Sequence, residues 1–504
     1  MEIFDSMLPS LATFFTWSVL LWFFIGILNG MIFGALPGLS GSVGIALMVP
    51  LTFGLGTEES MALFVAALSG QTFAGSISAI LLNTPGTSPN AATTLDGYPL
   101  AQAGRGGFAI GISAGSSAFG SVIGFFVLLA LLPVVRTVIL AFSFPEFTML
   151  AVLGLAAIAA ASTGSLIKGL ISGGVGVLFS FVGFAPVAGE LRYVFGQPQL
   201  TQGVDLIAAL IGLFALSEVL RLLVKGESVT HDPAMLKFPK AQVWEGLRYV
   251  FTQPWLLIRS SVLGTAVGIV PGVGGTVASF LAYFQAVHTS DDPETFGKGN
   301  PKGVLAPEAA NDGKDAGSAL PSLAFGLPGS SDWAIILGAL IVHGINPGPN
   351  LIREAPEVVW IAMWVIFFAS WVTSGLGLLA APYFVQVTKL RPGVLAPVVG
   401  VLAMVGSYAL QRQFIDVVFA LGFGVMGYYM RRYNVPPVPM ILGLLLGDSV
   451  ERSLFQSLQI FDGPMVFVTR PISLALVIIT ILILAAPVLS LRRRARRETI
   501  DAAR

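Results

Sequence analysis

The 504-residue chain contains no cysteine and only three histidines. The first absence excludes disulfides, thiolate metal sites and a cysteine nucleophile. The second leaves His231, His288 and His343 far apart, without metal-ligand spacing. Charge is scarce as well: 11% of residues are Asp, Glu, Lys or Arg, against 55% hydrophobic. A soluble protein of this length needs far more charge to cover its surface, so the composition is that of a polytopic membrane protein. The charges that exist balance at 27 basic and 27 acidic, which gives no basic excess for a nucleic-acid partner. A Walker A pattern is missing too, because Gly297-Lys298 is followed by glycine and has no matching upstream glycine. No stretch has the composition of an independent soluble domain.

What fills the chain is apolar sequence. Runs near or above the length of a membrane-spanning helix include Thr16 to Leu36, Gly107 to Val135, Gly203 to Val224, Glu357 to Val387 and Pro471 to Leu491. The start, Met1-Glu2-Ile3-Phe4-Asp5, has no basic n-region, so the first run is expected to be a retained span and not a signal peptide. The expected fold class is an all-α integral membrane protein of about twelve spans, some of them interrupted.

The interruptions recur. Pro37-Gly38-Leu39-Ser40-Gly41-Ser42-Val43 returns as Pro271-Gly272-Val273-Gly274-Gly275-Thr276-Val277, and Pro85-Gly86-Thr87-Ser88 returns as Pro328-Gly329-Ser330-Ser331. Gly174-Val175-Gly176-Val177 then resembles Gly422-Phe423-Gly424-Val425, and Gly212-Leu213 resembles Gly443-Leu444, all in the same order. Four anchors in register point to an internal duplication. It divides the chain into a first repeat over 1–234, a second over 235–470, and an extra C-terminal span with a basic tail over 471–504. A polar linker at 225–254 lies at the junction.

Basic residues orient the repeats, because cytoplasmic loops are enriched in Lys and Arg. Lys225, Lys237, Lys240 and Arg248 put the linker inside, and the run from Arg492 to Arg497 puts the tail inside. One span separates that tail from Arg452, which matches Arg221 in the first repeat. Parallel repeats would force the tail outside, so the repeats are expected to be inverted. Arg105, Lys168, Lys389, Arg391, Arg431 and Arg432 agree; Arg136, Arg192, Arg353 and Arg412 are the exceptions.

Interrupted helices at matching places in two halves point to a secondary transporter's binding site. A broken helix leaves backbone groups without partners, and in hydrocarbon each costs several kcal/mol, so the breaks must line a buried or watery cavity. A half-helix N-terminus suits a carboxylate, and a C-terminal end suits a cation. The candidate substrate-binding residues are Pro37, Gly38, Ser40, Gly41, Ser42, Pro85, Gly86, Thr87, Ser88, Pro271, Gly272, Gly274, Gly275, Thr276, Pro328, Gly329, Ser330 and Ser331. Asn83, Thr84, Asn311 and Asp332 are the candidate cation ligands. Basic residues are scarce near these motifs, and a helix end contributes only about 0.3–2 kcal/mol. A co-transported cation, Na⁺ or H⁺, is therefore expected, with no other cofactor.

The strings from Ser76 to Thr87 (Ser-Ile-Ser-Ala-Ile-Leu-Leu-Asn-Thr-Pro-Gly-Thr) and from Ala91 to Pro99 (Ala-Ala-Thr-Thr-Leu-Asp-Gly-Tyr-Pro) resemble the large membrane subunit of the tripartite tricarboxylate transporters. So do Ala306-Pro307-Glu308-Ala309-Ala310-Asn311 and Leu327-Pro328-Gly329. Two positions depart from that pattern: Phe73-Ala74-Gly75, where two glycines usually follow the aromatic residue, and Asp312, where a second Asn is common. The resemblance implies a bacterial inner-membrane permease driven by an ion gradient. Its partners would be a small membrane subunit of about four spans, by analogy, and a periplasmic binding protein that delivers a di- or tricarboxylate such as citrate. The alternative is a passive carboxylate channel of the same fold.

Other features have simpler readings. Gly38-Leu39-Ser40-Gly41 matches a short intramembrane-protease pattern with His343 as base, but Ser40 is matched by Gly274 in the second repeat, so the position serves backbone geometry. No enzymatic activity is expected. The acidic run Asp291-Asp292-Pro293-Glu294 is expected to lie in a solvated loop extending to Asp315, with Lys298, Lys302 and Lys314. Glu146, Lys168 and Glu218 lie near span ends, where snorkelling is the expectation.

Overall fold

The structure is a computed structural model that describes residues 2–36, 41–161, 166–187, 189–225, 239–348, 351, 354–387, 392–409, 412–461 and 463–485. Pro37, Gly38 and Ser40 of the first break and the arginine-rich tail therefore lie outside the described residues. The helices used below are α1 (Met7–Phe14), α2 (Trp17–Ala35), α3 (Gly41–Met48), α4 (Thr57–Leu82), α5 (Ala91–Leu100) and α6 (Gly106–Leu140). They continue with α7 (Phe144–Ala161), α8 (Leu166–Ser180), α9 (Leu206–Val224), α10 (Lys240–Thr252), α11 (Pro254–Ile269) and α12 (Gly274–His288). The last are α13 (Lys302–Phe325), α14 (Ser331–Val342), α15 (Pro356–Val387), α16 (Pro392–Ala409), α17 (Phe414–Arg432), α18 (Val438–Ile460) and α19 (Pro471–Ala485). Among the described residues the one departure from helix and turn is a two-stranded hairpin, Gly183–Phe184 with Leu191–Arg192.

Among the described residues, six helices are long and apolar enough to cross a membrane alone, and seven shorter apolar helices accompany them. Two of the shorter ones, Gly41–Gly54 and Ser331–Val342, follow the expected breaks. The chain is thus a helical, multi-pass membrane protein.

Two long helices rich in polar and small residues, α4 and α13, are buried along almost their whole length. Every residue of α4 from Ser60 to Leu81 and every residue of α13 from Gly303 to Ala324 is buried. Around them the apolar side chains point outward. On α2, Leu21, Phe24, Leu28 and Ile32 recur at helical spacing on the exposed face. The opposite face of α2 carries Gly26, Gly30 and Gly34, where a β-carbon would run into the backbone of α4 at Leu63, Ala67 and Gln71. Gly264 and Gly268 of α11 meet α13 at Ala310 and Lys314 in the same way. Small residues at a spacing of four let helix backbones touch, which is how membrane helices gain packing without a hydrophobic drive.

Packing between the two parts of the chain is reciprocal. Helix α4 packs on α2 and α15, while α13 packs on α11 and α6. Helix α1 lies on α15, and α10 lies on α6. Helix α8 meets α18, and α9 meets α17. The glycine anchors make those last two contacts: Gly176 faces Met440 and Leu444, and Gly424 faces Gly212 and Leu216. The linker region is more structured than its polar composition suggests. Residues 240–252 form α10, held to the start of α6 by Arg105–Glu245 at 2.5 Å and by Gln242 Nε2 donating to the Gly104 carbonyl at 3.0 Å.

Candidate functional site

The centre of the molecule holds a fully buried carboxylate. Glu308 of α13 accepts hydrogen bonds from Ser76 of α4, Thr93 of α5 and Ser113 of α6, the last at 2.9 Å. Asn90 Nδ2 and Ser117 Oγ each approach it at 3.5 Å. Asn90 also donates to the Thr72 carbonyl at 3.1 Å and accepts from Thr87. One carboxylate thereby ties α13 to α4, α5 and α6, and fixes the residues that follow the Pro85-Gly86 break. A second carboxylate, Asp96, holds the start of α13. Its Oδ1 accepts from the backbone of Gly299 and Asn300 at 2.8 and 2.7 Å, and its Oδ2 accepts from Tyr283 at 2.9 Å.

The breaks themselves are shaped by backbone requirements. Asn83 ends α4 in the left-handed region, φ 53°, and the matching end of α13 is Gly326, φ 70°. Asn is one of the few residues that enter this region at low cost, and that conformation accounts for Asn83, which is exposed. Thr84 N–H donates to Ser78 at 3.4 Å, and the Thr84 hydroxyl is buried without a partner among the described residues. Gly86 N–H donates to Gly75 at 3.3 Å, with the two glycines so close that a β-carbon on Gly86 would lie 2.7 Å from Gly75 Cα. Pro85 and Ser88 are exposed. In the third break Gly272 and Gly274 have φ of 76° and 73°, and Gly272 packs directly on Ile158. Pro271 and Thr276 are half-buried there. In the fourth, Pro328 is buried, Gly329 N–H donates to Ser322 Oγ at 3.1 Å, and Ser330 Oγ caps α14 by accepting from Trp333 N–H at 3.4 Å. Ser331 follows, half-buried in the first turn.

Breaks from the two parts of the chain meet in pairs. The first turn of α3 reaches the first turn of α14, where Ser42 Oγ donates to Asp332 Oδ1 at 2.5 Å. Beside it, Gly41 is packed so tightly on the Gln71 side chain of α4 that no β-carbon fits. The first turn of α12 reaches the segment after Ser88. A β-carbon on Gly275 would stand 2.6 Å from Lys314 Cε, 2.7 Å from Pro89 Cγ and 3.0 Å from Asn311 Oδ1. Helices α4 and α13 connect these meeting points, because Thr72, next to Gln71, donates to Asp315 Oδ2 at 3.2 Å. Asp315 pairs with Lys314. Asn311 is 1% exposed, and neither atom of its amide has a partner among the described residues.

Two expectations are overturned here. The polar stretch up to Asp315 is not one solvated loop. Residues 291–294 are exposed as expected, but from Lys302 onward the chain is the central helix, with Glu308, Asn311, Asp312, Lys314 and Asp315 all buried. Hydroxyls and the Lys314 ammonium compensate its acids; Asp312, for example, accepts from Ser370 of α15 at 2.8 Å. Basic residues remain scarce at the breaks, but one, Lys314, stands beside the third. A signal was present in the sequence: Glu308, Asn311, Asp312 and Asp315 recur at i, i+3, i+4 and i+7, one face of a helix, among small residues.

The end-of-span acids do not snorkel either. Glu146 is fully buried, accepting from Arg470 at 2.6 Å and from Ser143 N–H at 2.9 Å. Glu218 is fully buried between Arg221 and Arg431, the latter at 2.9 Å. Lys168 donates to the Tyr433 carbonyl at 2.6 Å, and Arg192 pairs with Glu451 at 2.8 Å. A buried carboxylate needs compensating partners, and here arginines provide them: Arg470 and Arg431 come from the second part of the chain, Arg221 from the same helix as Glu218. His343 Nε2 is engaged with Thr52 Oγ1 at 2.8 Å.

The model of the tripartite tricarboxylate transporter TctA family matches residues 20–442, which span both sets of breaks and every buried charge of α13. Two proteins of Agrobacterium vitis are similar. "Uncharacterized 52.8 kDa protein in TAR-I ttuC' 3'region" is 33% identical over 91% of this chain and 90% of its own length. "Uncharacterized protein in TAR-II ttuC' 3'region" is 32% identical over 42% of this chain and 88% of its own length. No solved structure matches. With the match covering most of its length, this chain belongs to the tripartite tricarboxylate transporter TctA family.

Proposed function

We propose that the protein is the permease of a tripartite carboxylate uptake system in a bacterial inner membrane. It carries a di- or tricarboxylate of the citrate type, coupled to Na⁺ or H⁺, and works with a small membrane subunit and a periplasmic binding protein. The observation that carries the reading is the pairwise meeting of interrupted helices from both parts of the chain over a buried polar centre. In hydrocarbon such breaks persist only around a solvated or ligand-bearing cavity. Family membership supplies the carboxylate and argues against an enzyme.

Two inverted repeats, 1–234 and 235–470, with an added C-terminal span and a cytoplasmic tail, complete the proposal. The reciprocal helix packing supports it, since the most extensive contacts of one part, α4 with α2 and α15, have counterparts in the other, α13 with α11 and α6. Polar contacts that join regions assigned to the same side support the expected sidedness. Arg105 meets Glu245 and Lys168 meets Tyr433, all in regions assigned to the inside, while Arg192 meets Glu451 beside Arg452, assigned to the outside.

The test is uptake of labelled citrate, succinate and benzoate into proteoliposomes holding this chain and its small partner, with binding protein outside. Saturable uptake that requires an inward Na⁺ or proton gradient is expected for at least one of the three. Flux down any gradient without binding protein or cation would establish a channel instead, and no flux of any of them would remove the carboxylate reading.

A further inference from the structure

The third break contains a charged group that helix geometry does not explain. Lys314 and Asp315 are consecutive residues of α13, 4% and 3% exposed, and pair with each other. Consecutive side chains on a helix point well apart, so both must bend to make this contact. Asp315 has a second partner in Thr72, on the neighbouring α4. Lys314 instead runs its stem past Gly275, where the absence of a β-carbon leaves the room it occupies.

Around that stem lie groups suited to an anion. Asn311, one turn earlier on α13, presents Oδ1 3.0 Å from where a Gly275 β-carbon would stand, and its whole amide is unpartnered and 1% exposed. Gly275 belongs to the first turn of the 15-residue α12, whose leading N–H groups have no intrahelical acceptors. The Lys314 ammonium and the N-terminus of α12 are donors beside one point, and the unpartnered Asn311 amide, which faces it with Oδ1, adds its N–H₂ as a third donor once the amide turns over. A buried polar group left without a partner costs about 1–3 kcal/mol, so the unpartnered amide of Asn311 marks a place where a ligand completes the structure.

We propose that Lys314 is the fixed positive group that receives a substrate carboxylate, with Asn311 and the start of α12, and that Asp315 is its resident counter-ion, displaced when substrate enters. The proposal rests on the carboxylate reading above and deepens it. Its consequence is coupling. Once Lys314 turns to the substrate, Asp315 is left buried as an unpaired carboxylate, with Thr72 as its remaining partner and the charges of Asp332 and Asp312 close enough to act on it. An unpaired buried charge is untenable, so a cation must join it. Arrival of the anion thereby creates the demand for the co-transported ion.

The experiment uses the full chain with its small subunit and binding protein in proteoliposomes, and labelled citrate, succinate and benzoate as probes. Lys314→Gln and the double variant Lys314→Gln/Asp315→Asn are each expected to lower uptake about 100-fold, the loss that follows truncation of a buried charge partner. Lys314→Arg should recover part of it. Asp315→Asn should still bind the labelled carboxylate in detergent and support exchange, yet lose gradient-driven accumulation. Thermal midpoints and monodisperse elution check folding. If the single Lys314 variant fails to fold, the double variant carries the test, because it leaves no charge stranded. Restored uptake in the double variant would mean that the pair only holds the helix and would overturn the proposal. Accumulation by Asp315→Asn at the parental level would overturn the coupling. Parental protein that carries none of the three probes would instead remove the carboxylate reading itself, so the two failures are distinct.

Discussion

Glu308 and the Lys314–Asp315–Asn311 group lie less than two turns apart on one buried helix, and they treat their polar atoms in opposite ways. Glu308 is saturated: hydroxyls and an amide from three neighbouring segments surround it. Asn311 has no partner for either amide atom, and the lysine relies on the residue next to it. Both groups are equally dry, so burial does not separate them. Satisfaction does. A saturated buried network fixes a structure, while a deficient one carries an energetic cost that a ligand can relieve.

The comparison breaks first at Glu308. Glu308→Ala strands donors from α4, α5 and α6, and the expected loss is at least about 3 kcal/mol. It should appear as a collapse in monodisperse yield and a large drop in the thermal midpoint followed by tryptophan fluorescence. Removing one donor, as in Ser113→Ala, should cost only about 1 kcal/mol, because the other donors remain. Equal effects would mean that Glu308 is not the hub of the network.

A smaller effect separates the two groups along the helix. A β-carbon on Gly268 of α11 would collide with the backbone of α13 at Lys314 and approach Ser318 N at 3.0 Å. Gly268→Ala should cost about 1–3 kcal/mol as overpacking and should raise the KM for uptake, since it shifts the turn that carries Lys314. Unchanged transport at lowered stability would show that the position of that turn is irrelevant to the substrate.

Much of this architecture was legible in the sequence. Apolar runs gave the membrane class, the Pro-Gly breaks gave the places where the chain turns inside the molecule, and Ser42, Asp332 and Gly275 do meet other breaks. What was illegible is α13. A helix with Pro307, Pro321 and five buried charged or amide residues reads as a loop, because sequence hydropathy assumes that polar residues seek water. In the middle of a membrane bundle a helix surrounded by other helices can carry polar residues, because its neighbours supply the partners that water would. Periodicity, not hydropathy, was the signal that survived. Asn83 shows a different difficulty: a left-handed helix end favours Asn whatever its amide does, so the residue type alone does not mark a ligand.

The smallest stability effect is also the sharpest test of the comparison. If Asn311 belonged to the folding machinery, Asn311→Ala would destabilise like any loss of a buried hydrogen bond. It makes no such bond. Its truncation removes an unsatisfied amide and leaves only a small space, so the thermal midpoint should stay within about 1 kcal/mol of the parent. Transport should not be spared in the same way. Loss of a donor that acts only when a carboxylate is present should raise KM about tenfold with kcat little changed, the value of one charge-assisted hydrogen bond. A variant that is less stable but transports normally would place Asn311 with Glu308, among the residues that hold the fold, and would erase the distinction between the two ends of α13.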